Sequence, residues 1–119
     1  PNLVSRDLSG HHLIMLGRQR PARLAFERQL RRAGVFPIVR IEVHSVEATC
    51  GLVARGLGVA VVPELIAGLY RHLPIEQRPF SPCIHGAYGI VTLKGAPMSR
   101  SAEAFTDILK SRLEAQGRT

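Results

Sequence analysis

Three groups of residues in this chain of 119 have the types and spacing to do chemistry on a ligand. The first is His44-Ser45-Val46-Glu47. Ser45 follows the β-branched run Pro37 to Val43 and precedes Val46, Cys50, Val53 and Leu57, which recur at helical spacing, so Ser45 is placed to cap a helix. The unpaired N–H groups of Val46 and Glu47, with the Ser45 hydroxyl, then offer a seat for an anionic or polar group. The Glu47 carboxylate weighs against a highly charged anion unless it turns away. His44, at the strand terminus, is a candidate ligand contact or pH-sensitive terminus; it reads equally as an exposed residue without a role.

The second group, Gly17-Arg18-Gln19-Arg20, follows the apolar run Leu13 to Leu16. A guanidinium at the carboxyl end of a strand suits a carboxylate ligand bidentately, and a solvated basic loop is the alternative. The third group is the cysteines and histidines. Cys83 and His85 stand two apart on one loop, a spacing that rarely gives a nucleophile its base and orienting group. His11 and His12 are consecutive on a strand and point to opposite faces. Neither a nucleophile elbow, a phosphate-cradling glycine loop nor a paired-carboxylate motif is visible. The expectation is a binding protein, with no catalytic residues, no metal and no cofactor.

The elements that must position these residues follow from the hydrophobic pattern. Leu13 to Leu16 reads as a strand buried on both faces. Pro21 opens a helix whose apolar face is Ala22, Phe26, Leu30 and Ala33, with Gly34 as its stop and Leu24 on the far side. Pro37 to Val43 is a second strand, and the helix capped by Ser45 buries Val46, Cys50, Val53 and Leu57. Gly51 inside that helix suggests a close backbone neighbour. Val59 to Val62, apolar throughout, predicts a central parallel strand, and Pro63 begins a short helix to Tyr70. The order strand, helix, strand, helix, strand means crossover units: an α/β fold with a mainly parallel sheet flanked by helices. After it come a proline-rich segment with a short edge strand in IEQRPF, a strand candidate at 86–93, and a last helix capped by Ser99. Ala102, Phe105, Ile108, Leu109 and Leu113 form the apolar face of that helix.

Composition narrows the class. With 45% apolar and 21% charged residues the chain is an ordinary folded domain. It has no apolar run long enough to span a membrane and no secretory leader pattern at PNLVSRDLSG, so a cytoplasmic location is expected. The two cysteines, Cys50 and Cys83, read as reduced core thiols. The net charge is +7, and six of the sixteen basic residues lie between Arg18 and Arg32, opposed only by Glu27. That segment keeps a nucleic-acid-binding reading open, although aromatic residues for base stacking are only 5% of the chain.

The chain resembles the effector-binding region of LysR-type transcriptional regulators, which shares the two-lobed architecture of type II periplasmic solute-binding proteins. The resemblance is carried by Asp7-Leu8-Ser9-Gly10 before His12-Leu13-Ile14, by Phe26 and Gly34 before Pro37, and by Ser45-Val46-Glu47. Val53-Ala54-Arg55-Gly56-Leu57-Gly58-Val59-Ala60-Val61-Val62-Pro63 is its most specific piece. Tyr88-Gly89-Ile90-Val91 is similar to the strand that returns through the hinge, and Ser99 with Phe105 to the closing helix. The resemblance implies that residues 1–85 are the second lobe, 86–98 the hinge crossing, and 99–119 a helix belonging to the other, missing lobe. It further implies a small effector, a carboxylate among the candidates, held by Gly17, Arg18, His44, Ser45, Val46 and Pro63. The partners implied are a homo-oligomer (dimer or tetramer) and DNA, reached only through a winged helix-turn-helix domain absent from this chain. A stand-alone solute-binding module shares the fold and is the alternative, against which the lack of an export signal counts.

Overall fold

The computed structural model describes residues 1–86 and 89–117 of the chain. Chain contacts divide it into two units, Pro1–Gly86 and Ala87–Thr119.

The first unit is organised by one strand. After a short strand β1 (Leu3–Val4) and a 3-10 turn over Ser5–Leu8, in which the Asp7 carboxylate accepts the Val4 N–H at 2.7 Å, strand β2 (His12–Leu16) enters the core. Leu13, Ile14 and Met15 are 1%, 2% and 4% exposed, the burial on both faces that the run predicts. Helix α1 (Pro21–Arg32) starts on Pro21 and carries the chain to strand β3 (Ile38–Val43). β3 pairs in parallel with β2 from His12↔Ile38 to Leu16↔Val43, with one irregularity between Leu13 and Ile14.

On the other side of β2, Val59 makes a single parallel bridge to Leu13. The Ile14 N–H donates to the Val59 carbonyl and the Val59 N–H to that of His12, both at 2.9 Å. The expected central strand at Val59 to Val62 is thus corrected: β2 is central, and the Val59 segment flanks it on one side. Pairing stops at Val59, and residues 60–62 are half-buried, because this run has β2 on one side and no further described strand on the other. A separate parallel pair joins β1 to strand β4 (Phe80–Ser81). Only Phe80 of the expected edge strand IEQRPF belongs to it.

Both long helices of this unit end in the same hydrogen-bonded cap. At α1 the Gly34 N–H reaches the Arg31 carbonyl at 3.0 Å and the Val35 N–H that of Leu30 at 2.9 Å. Helix α2 (Val46–Ala54) repeats it with Gly56 to Val53 and Leu57 to Leu52. The left-handed backbone at this cap, φ 74° at Gly56, is what glycine supplies without steric cost. Gly58 is required for a different reason: a Cβ there would stand 2.5 Å from the His12 carbonyl oxygen. Among the described residues, no atom outside the adjoining residues and the local helix backbone comes within 4 Å of where a Gly51 Cβ would be, so the expected close neighbour is not found there and this glycine weakens the helix.

The core gathers Leu8, Leu13, Met15, Phe26, Leu30 and Val35, with Phe26 edge-on to Phe80 at 5.8 Å. Full burial of each large apolar side chain contributes roughly 1.5–3 kcal/mol. The buried face of α1 departs from expectation at one position: Ala22 is exposed and Arg23 is buried instead. On α2 the buried residues are Val46, Thr49 and Cys50, while Val53 and Leu57 are half-buried. Burial pushes the Cys50 thiol above its ordinary pKa, keeping it protonated. Cys83 is exposed, so only one of the two expected core thiols is in the core. A short helix α3 (Glu64–Ala67), extended by a 3-10 turn over Gly68–Tyr70, follows Pro63.

In the second unit, Ser99 caps helix α4 (Arg100–Gly117) as expected, its hydroxyl oxygen accepting the Ala102 N–H at 3.2 Å. Of the strand expected at 86–93, Ala87 and Tyr88 lie outside the described residues, and residues 89–93 form no strand. No described strand of this unit is available to pair with them. Along α4, Ala102, Leu109 and Leu113 are half-buried, whereas Phe105 and Ile108 are 67% and 62% exposed. No helix among the described residues is long and apolar enough to cross a membrane.

Candidate functional site

The carboxyl ends of β2 and β3 lie side by side, and the chain that leaves each of them builds the candidate site. The ladder runs one residue past β2, the Gly17 N–H donating to the Val43 carbonyl at 3.0 Å. The next residue on β3's side, His44, lays its ring over Gly17: a Cβ on Gly17 would meet Nδ1 at 3.2 Å and Cε1 at 3.3 Å. Glycine at 17 therefore lets the imidazole close over the strand end. Ser45 then caps α2, its Oγ accepting the Ala48 N–H at 3.1 Å, and the Thr49 hydroxyl donates to the Ser45 carbonyl at 2.9 Å. Oγ is engaged there as an acceptor, and the Ser45 hydroxyl keeps its proton as a donor. The N–H groups of Val46 and Glu47 point out of the first turn with no intrahelical acceptor.

Pro63 lies beyond the last paired residue of its segment, so its place at this edge is set by sequence spacing and not by a ladder. Val59 is opposite Leu13 on a parallel bridge, and Pro63 and Gly17 each stand the same number of residues further on in the same direction. In parallel α/β sheets, ligands bind outside these carboxyl ends.

The charges at this edge are already organised. Arg18 Nε donates to Glu42 Oε1 at 2.8 Å, and Arg20 Nη2 donates to the His44 carbonyl at 2.8 Å. Beneath them Arg23, whose side chain is 4% exposed, donates from Nη1 to the Leu16 carbonyl and from Nε to Glu27 Oε1, both at 2.8 Å. The same Nη1 lies 3.4 Å from Glu42 Oε1. The hydrogen bond from Arg18, helped by the charges of Arg18 and Arg23, holds the Glu42 carboxyl below its ordinary pKa. Arg18 is raised in turn, first by that hydrogen bond. In this structure the Arg18 guanidinium is engaged by Glu42.

Gly17, His44 and Ser45 come together, Val46 follows on the same turn, and Arg18 is tied to the strand end through Glu42. Three residues of this edge escaped the sequence reading. Thr49 left a faint signal, a hydroxyl one turn after a capping serine. Arg23 left another, its spacing of four from Glu27 on a helix. Glu42 left none, since a charged residue on an exposed edge strand is what solvation alone would put there. Cys83, His85, His11 and His12 are all exposed, and His12 Nδ1 has the Arg40 guanidinium at 3.3 Å. Among the described residues no three histidine, cysteine or acidic side chains gather at a distance that could hold one metal ion.

Known proteins resemble the chain along most of its length. Residues 3–114 match the LysR substrate binding domain. The regulatory protein NocR of Agrobacterium tumefaciens (strain T37) is 33% identical over 109 residues, which are 92% of this chain and 36% of NocR. YybE of Bacillus subtilis (strain 168), an uncharacterized HTH-type transcriptional regulator, is 26% identical over 104 residues, 87% of this chain and 35% of YybE. Among solved structures, the effector binding domain of QuiR in complex with shikimate superimposes with a TM-score of 0.63 at 16% identity, covering 90% of this chain and 51% of that one. The regulatory domain of CcmR from Synechocystis PCC6803 in complex with 2-PG gives 0.59 at 21% identity, with 92% and 54% covered. At these identities the two structures establish the fold: α/β, with the parallel strands and covering helices of a periplasmic-binding-protein-like lobe. The chain spans about a third of the curated relatives and about half of the solved domains. With the match running along almost all of its length, the chain belongs to the LysR substrate-binding-domain family.

Proposed function

We propose that the chain is the ligand-sensing part of a bacterial LysR-type transcriptional regulator, and that it binds a small anionic effector at the strand ends by means of Gly17, Arg18, His44, Ser45, Val46 and Pro63. The observation that carries this reading is the convergence of two parallel strand ends and a helix N-terminus on Gly17, His44 and Ser45. That convergence gathers backbone and hydroxyl donors at one edge, with Arg20 adding charge through the His44 carbonyl. The ligands of the two similar domains, shikimate and 2-PG, are small organic acids, which favours the anionic class.

On this reading residues 1–85 are one lobe, 86–98 cross the hinge, and 99–119 form a helix that packs on the other lobe. The greater length of the relatives and the exposed apolar face of α4 support it. The effector acts by binding, without turnover. Lodged between lobes, it biases their relative orientation, and a cytoplasmic homo-oligomer transmits the shift to DNA held by a segment outside these residues.

The test is the melting temperature of the full-length protein against a panel of small carboxylates and phosphates that includes shikimate and 2-PG. An effector at a hundredfold excess over its Kd stabilises by about 2.7 kcal/mol. Ser45→Gly keeps the cap to within a few tenths of a kcal/mol but removes the hydroxyl, so the ligand-induced rise should shrink in that variant. No rise with any acid, or an undiminished rise in both Ser45→Gly and Arg18→Gln, would remove the anion site from this edge.

A further inference from the structure

Glu42 occupies the guanidinium that the sequence marks for a ligand, and its surroundings are asymmetric. Its Oε1 is shared between Arg18 Nε at 2.8 Å and Arg23 Nη1 at 3.4 Å. Arg18 is an exposed side chain, 80% accessible, while Arg23 is 4% accessible and fixed by the Leu16 carbonyl and Glu27. The two cations therefore differ in freedom: Arg18 can swing to meet another anion, and Arg23 stays where it is. A carboxylate released by Arg18 has a second guanidinium already within reach, so its release leaves no unpaired charge on the buried side.

We propose that Glu42 is a built-in counter-ion which an effector's acid group must displace from Arg18, with Arg23 taking up the released carboxylate. This rests on the effector reading above and adds to it a residue that sets the affinity threshold. A ligand group that hydrogen-bonds a guanidinium through two oxygens, a phosphate or a carboxylate, competes with Glu42, which uses one oxygen toward Arg18. A neutral polar group does not. Exposed ion pairs are weak, so the threshold corresponds to a factor of up to about five in anion affinity.

The experiment measures phenylglyoxal labelling of Arg18 by peptide mass spectrometry in the full-length protein, across a titration with inorganic phosphate. Glu42→Gln, close in shape to the native residue, should make Arg18 label faster and should lower the phosphate concentration that half-protects it by up to about fivefold. Glu47→Gln removes the same formal charge near the same helix end and should change that concentration less. In an Arg18→Lys background, followed by hydrogen exchange of the Val46 and Glu47 amides, Glu42→Gln should no longer tighten phosphate to the same degree. Phosphate that protects Arg18 equally in wild type and Glu42→Gln, or that protects it in neither, overturns the displacement. If phosphate still slows exchange at Val46 and Glu47 in that case, the effector site stands without Glu42's role; if it changes neither readout, both readings fail.

Discussion

Leu30 and Phe105 hold equivalent places in their helices, each a large apolar residue in the middle of a periodic apolar face, yet Leu30 is 0% exposed and Phe105 is 67% exposed. Leu30 lies in the unit Pro1–Gly86, where Leu8, Leu13, Met15, Phe26 and Val35 surround it. Phe105 lies in the unit that follows, with Ile108 and the exposed residues Val91 and Leu93. Periodicity dictates which side of a helix is apolar. It does not dictate what covers that side, and the two helices differ only in whether the described chain provides the cover. The first unit is held by its own core; the second presents a surface written for burial.

The largest effect that tests this contrast is at those two residues. Leu30→Ala should lower the stability of the chain by about 2–5 kcal/mol in urea denaturation, the cost of a core cavity. Phe105→Ala in the same chain should stay within about ±0.5 kcal/mol, as at an ordinary surface position. Equal losses would mean that α4 is covered after all and would end the comparison. In the full-length protein the Phe105→Ala cost should climb toward the roughly 3–5 kcal/mol of a buried phenylalanine, if α4 packs on the other lobe as proposed.

A finer contrast sets two glycines of the first unit against each other. Gly58→Ala forces a Cβ to 2.5 Å from the His12 carbonyl, backbone against backbone, so the Val59 bridge to β2 must shift at a cost of about 1–3 kcal/mol. Gly51→Ala adds a methyl into open space in a helix and should stabilise by about 0.4–1 kcal/mol. Thermal melts of the two variants should move in opposite directions. A destabilised Gly51→Ala would reveal a neighbour there that the described residues lack.

Much of the architecture was legible because it is local. The burial of Leu13, Ile14 and Met15, the proline start and glycine stop of α1, and the Ser45 and Ser99 caps each follow from a few adjacent side chains. What was not legible depends on partners far along the chain. Val59 to Val62 is as apolar as β2, and only pairing reveals that β2 takes the centre. β1 and β4 are too short for any period to show. At the candidate site, the residue types around His44 and Ser45 were readable, but the hold of Glu42 on Arg18 joins residues 24 apart in sequence and leaves no local trace. Arg23 misled for a similar reason, a charged side chain buried because a carbonyl and two carboxylates wait at the strand end.

The smallest effect belongs to that ion pair, and its sign is fixed by Glu42. The folded-state pKa of Glu42 lies below the ordinary 4.5 because Arg18 hydrogen-bonds its carboxylate, whereas in the unfolded chain that partner is gone. A depressed carboxylate favours the folded state at every pH above the ordinary value, and the benefit is lost as pH falls through the folded value. Wild type should therefore exceed Glu42→Gln in urea midpoint at neutral pH, the difference closing as the pH is taken below about 4. Arg18 is largely exposed, so salt should erode the same difference at neutral pH, most of it by 1 M, where the screening length is about 3 Å. A gap between the two proteins that persists both in acid and in high salt would assign Glu42's contribution to packing instead of charge. It would also leave Arg18 with no electrostatic hold for an effector to displace.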